Sequence, residues 1–169
     1  MPRSAFVALL LGLAACNPTF NWREIRAEGM GLHAMFPCKP DKGSRPVPMA
    51  GREVELHALG CDTGGATFAV LSAEVDPLRA GEVLAQWQKA TLANFHGAAS
   101  RESPFAPAGA FPWTQAQRVQ ASGTRPDGSK VDSQAVYFAR GSRVFQAVVY
   151  AGRMPAEAAD TFFAGLRLE

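Results

Sequence analysis

The residues of this 169-residue chain that could do chemistry are three histidines, three cysteines and a few carboxylates. His33 and His57 each fall in a stretch that alternates apolar and polar residues, which puts both on solvent faces of strands. Their spacing matches no metal-ligand motif. They read as surface histidines, and the alternative is a metal or small-ligand site built from His33 and His57. His96 closes a helical stretch, where its partial charge suits the C-terminal end. Glu53 and Glu55 lie on one strand face beside His57, the pattern of a solvated edge more than of an acid–base pair. Ser72 sits in an apolar strand and Ser122 just before a turn, and no Gly-x-Ser-x-Gly elbow supplies a nucleophile. Gly29-Met30-Gly31 and Gly64-Gly65 lack the strand–loop–helix context of a phosphate cradle and read as turn glycines. The chain is therefore expected to be non-catalytic and to carry no cofactor. A hydrolase with a cryptic site is the other alternative.

The elements that must position these residues are mostly strands. Residues 22–26 and 32–36 read as short strands, and proline at 37 and 40 stops the second. Residues 46–49 and 52–59 form a hairpin around Ala50-Gly51, with Val54, Leu56 and Ala58 alternating against Glu53, Glu55 and His57. Residues 61–65 are read as a turn and 66–75 as an apolar strand covered on both faces. Asp76-Pro77 opens a helix, Asp as cap and Pro at the first position. Leu84, Trp87, Thr91 and Phe95 form its buried stripe, and Gly97 suits a left-handed cap. Residues 100–113 combine a short strand with a proline-rich loop. Strands 115–124 and 130–140 flank the turn Arg125-Pro126-Asp127-Gly128. Strand 143–151 is apolar on both faces, so it is expected to be central. A last helix from Pro155 leads into a short strand at 166–168. The expected class is α+β, an antiparallel sheet with helices attached.

Phe105, Phe111 and Trp113 lie in the proline-rich loop. One reading folds these aromatics back over the sheet. The other makes them a contact patch for a partner protein or the bilayer. Charge adds little, since 17 basic and 15 acidic residues leave a net charge of +2. That balance gives no electrostatic case for nucleic acid.

The N-terminus locates the protein better than any of these. Arg3, the apolar run 5–13 and the small residues before Cys16 have the order of an export signal. The run is too short to span a bilayer, which takes about 18–20 apolar residues; an ordinary cleaved secretory signal with an incidental cysteine is the alternative. Leu13-Ala14-Ala15-Cys16 resembles the lipobox of bacterial lipoproteins. The resemblance implies removal of residues 1–15 and acylation of Cys16, palmitate included, so the expected partner is the lipid bilayer. Asn17 in place of Asp leans toward the periplasmic face of the outer membrane. Residues 16–21 are then a tether whose five residues beyond Cys16 reach only about 15–18 Å, and 22–169 is a single domain. With Cys16 acylated, Cys38 and Cys61 remain in an oxidising compartment, where a disulfide between them is expected. Such a bridge is worth about 3 kcal/mol. A metal site or two free thiols are the alternatives.

Several segments in order also look like the PsbP-like fold. They are 32–40 with its Phe-Pro-x-Lys-Pro ending, Asn94-Phe95-His96-Gly97, 118–124 before Pro126-Asp127-Gly128, 138–150, and 159–168. Cys38 stands where relatives often have Gly. The resemblance implies an α/β/α sandwich with helices packed on both sheet faces and an extracytoplasmic, mostly non-enzymatic class. It transfers no site residues. The expected role is binding or support within an envelope complex.

Overall fold

The structure is a computed structural model that describes residues 18–169; Cys16, Asn17 and the signal segment lie outside the described residues. Ten strands and two helices follow one another as β1 (Arg23–Ala27), β2 (Leu32–Phe36), β3 (Asp41–Met49), β4 (Arg52–Thr63), β5 (Ala66–Glu74), α1 (Ala80–Asn94), β6 (Ala98–Pro104), β7 (Gln117–Thr124), β8 (Lys130–Arg140), β9 (Arg143–Ala151), α2 (Ala156–Ala164) and β10 (Arg167–Leu168). A 3-10 turn at Pro77–Arg79 leads into α1, and the Asp76 side chain accepts the Leu78 amide as its cap. The strands form a seven-stranded sheet in the order β3-β4-β5-β9-β8-β7-β6 and a three-stranded sheet in the order β1-β2-β10. All strand pairs are antiparallel.

The expected α+β sandwich with helices on both faces is corrected by this arrangement. The fold is β-rich, with strands taking about half of the described residues. One face of the large sheet carries α1. The other is covered by the second sheet together with α2, which is only nine residues long. A helix of that length spans roughly 13 Å, too little to cover seven strands. The alternation of Leu32, Ala34 and Phe36, all fully buried, lays β2 on the large sheet as the rest of that cover. Phe36, Phe68 and Phe162 meet edge to face there at 5.2–5.4 Å.

The two faces of β8 and β9 explain their composition. Val136, Phe138, Phe145 and Val149 pack toward the small sheet, and Ala135, Tyr137, Val144 and Val148 toward α1. β9 is the middle strand of seven and is buried along most of its length. Gln146 is one of five buried polar residues, with Ser72, Thr91, Ser133 and Gln134. The Gln146 amide donates to Thr91 Oγ1 at 2.8 Å and to Tyr137 Oη at 3.0 Å, tying α1 to the sheet. Most buried polar groups are satisfied in this way, which accounts for Thr91 within an apolar stripe. At the end of α1, His96 takes the left-handed conformation (φ 49°) expected of Gly97. Gly97 instead lies against Phe95, where a Cβ would come within 2.3 Å of the ring.

Candidate functional site: a split in the large sheet

Pairing between β4 and β5 runs from Thr63↔Ala66 to His57↔Ser72 and then stops. β4 continues to Arg52, paired with β3, and β5 continues to Glu74, paired with β9. The two strands therefore part, and a cleft of about 770 Å³ opens between them. Continuing the register would set Glu55 opposite Glu74, and like charges directly opposite destabilise a ladder. Arg79 holds the gap from the α1 side. Its guanidinium donates to the Ala50 carbonyl at the hairpin tip at 3.0 Å and to both carboxylate oxygens of Glu82 at 3.0 Å. Those Glu82 bonds raise the Arg79 pKa, and Arg79 lowers that of Glu82. Arg143, the first residue of β9, donates to Glu74 and to the Gly29 carbonyl.

The lining differs on the two sides. Glu53, Glu55 and His57 alternate with Val54 and Leu56, and Glu53 and Glu55 are exposed and make no ion pair among the described residues. Met49, Val54, Val75 and Val83 supply an apolar wall on the α1 side. Glu53, Glu55 and His57, read from sequence as a solvated edge, are thus one rim of a cleft. Glu74 and Arg79 flank the helix start within five residues of each other, but Arg143 comes from β9 and nothing in the sequence links the three. Asp76-Pro77, the helix-start signal, was the one sequence mark near them.

His33 and His57 are not brought together. His33 is on β2 in the small sheet and His57 on β4 in the large one. The His33 ring is held at 2.9 Å on each side, Nδ1 by Glu24 and Nε2 by Glu169. Arg167 pairs with Glu24, and Arg26 pairs with Glu169 at 2.6 Å. With both ring nitrogens engaged, the paired-histidine metal site is corrected to a charge network that ties the C-terminus to β1 and β2. No cluster of three His, Cys, Asp or Glu side chains suited to a metal occurs among the described residues.

Phe105, Phe111 and Trp113 do not form one contiguous patch. Phe105 packs against Phe138 and Phe163 in the small-sheet core, at 6.5 and 6.4 Å. Trp113 turns to the opposite face and lies on the first turn of α1, 3.2 Å from where a Gly81 Cβ would be. Its indole Nε1 is buried without a partner among the described residues. Phe111 alone stays exposed, at 56%. Residues this close in sequence separate because the loop wraps the end of β8, with the Phe111 amide on the Ala139 carbonyl.

Cys38 and Cys61 form a disulfide with a Cα–Cα distance of 6.0 Å, which links the exit of β2 to β4 and so joins the two sheets. The segment read as tether is partly docked. Thr63 Oγ1 donates to the Thr19 carbonyl at 2.6 Å, and Phe20 packs against Trp22 and Phe68. No helix among the described residues is long and apolar enough to cross a membrane.

No protein-family model matches the chain, and no curated protein matches it. Among solved structures, a protein of unknown function from Pseudomonas aeruginosa aligns over 82% of this chain and 87% of its own, at 14% identity and a TM-score of 0.40. A likeness that loose carries no argument.

Proposed function

We propose that this chain is a non-catalytic, lipid-anchored binding module that supports a protein complex at the periplasmic face of the bacterial outer membrane. The observation that carries the binding reading is the cleft between β4 and β5. Arg79, Arg143 and Asp76 there are each committed to bonds that hold the cleft's walls, while its strand edges and the Glu53 and Glu55 carboxylates remain open. The anchor rests on the lipobox-like Leu13-Ala14-Ala15-Cys16, and the Cys38–Cys61 disulfide suits an oxidising compartment.

Anchoring would also orient the domain. Thr19 is pinned beside the β4–β5 turn, and Cys16 precedes it by three residues, about 10 Å of chain. At ~3.3 Å per residue, β4 carries the cleft roughly 30 Å from that turn. The turn would face the bilayer and the cleft would face away from it.

Cross-linking in intact cells followed by capture of the lipoprotein from membranes tests this reading. One envelope protein recovered in stoichiometric amount, and lost with Cys16→Ser, is the expected result. Recovery of no stoichiometric partner would overturn it.

A further inference from the structure

We propose that the split between β4 and β5 receives, by strand addition, an extended segment of a partner protein in which basic and apolar residues alternate. The backbone supplies the first part of the case. The two-residue turn at Ala50-Gly51 has φ of 52° and 77°, both positive as in a type I′ hairpin. It makes Met49 and Arg52 a hydrogen-bonded pair, and the alternation of an antiparallel ladder then turns the amides and carbonyls of Glu53 and Glu55 away from β3. Their partners in that register are Pro48 and Pro46, which have no N–H to give. On the other wall, the Val75 amide points toward β9, to the Ser142 carbonyl at 2.8 Å. By the same alternation Glu74 presents its backbone groups to the split. Two open strand edges thus face each other across one cleft. An added strand would satisfy both, which is the physical basis of recognition by strand addition.

The side chains select the occupant. Along an extended strand, successive residues point to opposite faces. On one face they would meet Glu53, Glu55 and Glu74, of which only Glu74 already has a cationic partner, Arg143. On the other they would meet Met49, Val54, Val75 and Val83, beside Arg52 and the Glu82-paired Arg79. Lysine or arginine alternating with valine or leucine fits both. General electrostatics would not draw such a segment, because the whole chain carries a net charge of +2. The attraction is local to this rim. The free edges of the sheet are poorer templates, since β3 carries Pro46 and Pro48 and β6 has a register shift between Ala99 and Arg101. This inference rests on the binding reading above but not on the lipid anchor.

The test uses the full chain extracted in a non-ionic detergent and a fluorescent probe peptide of about seven residues alternating Lys and Val. Saturable binding is expected, with amide exchange slowed at Glu53, Glu55 and Glu74. Glu53→Lys/Glu55→Lys, both at exposed positions, should weaken binding about tenfold. N-methylation of alternate probe amides should weaken it further still. Equal binding of a Glu-Val probe, indifference to the charge reversal, or protection at β3 or β6 instead would overturn the proposal. A partner captured from membranes that binds without protecting Glu53 and Glu55 would sink this proposal alone and leave the binding-module reading in place.

Discussion

Glu24 and Glu169 show how single side chains hold this fold. The His33 hydrogen bond and the Arg167 charge lower the Glu24 pKa, and Arg26 does the same for Glu169. A carboxyl whose folded pKa is lowered stabilises the protein above its unfolded value, near 4.3, and loses that contribution as pH falls through the folded value. Glu24→Gln/Glu169→Gln should therefore lower the Tm at neutral pH and flatten its decline below about pH 4.5. Parallel acid limbs for the variant and the parent would contradict the network. The aromatic loop gives a second residue-scale contrast. Phe105→Ala empties part of the small-sheet core and should cost about 3 kcal/mol. Phe111→Ala, at an exposed position, should stay within about 0.5 kcal/mol. Chemical denaturation of both variants checks this.

At the scale of elements, the disulfide fastens β2 to β4 and thus one sheet to the other. Cys38→Ala/Cys61→Ala should lose about 3 kcal/mol. Intact mass of the parent should rise by two hydrogens on reduction, and an unchanged mass would remove the bridge. Much of this level was legible in the sequence. Alternation at 52–58 and the double apolar faces of 143–151 located β4 and the central β9, because burial writes itself into period two. The cover of the sheet was not legible. Short β1 and β2 lack the length to declare whether they join the large sheet or lie across it, and only packing of Phe36 on Phe162 decides that. The cleft was hidden for a related reason. Glu53, Glu55 and His57 were visible as a charged strand face, but the place where β4 leaves β5 depends on Arg79 and Glu74 in other segments.

For the whole molecule, the two ends of β4 divide the labour. The β4–β5 turn holds Thr19 and the start of the fold, and the far end opens into the cleft. A lipid on Cys16 would press the first end to a bilayer and present the second to a partner. Acyl chains hold through about 0.8 kcal/mol per buried methylene, and more than one chain is needed for firm anchoring. Everything proposed about location and orientation depends on that one residue. The most direct measurement is the mass of the N-terminal peptide of the chain recovered from bacterial membranes. A peptide that begins at Cys16 and carries both thioether-linked diacylglycerol and an N-acyl group is the predicted result. A peptide that begins at Met1, or one cleaved elsewhere with an unmodified Cys16, would contradict it.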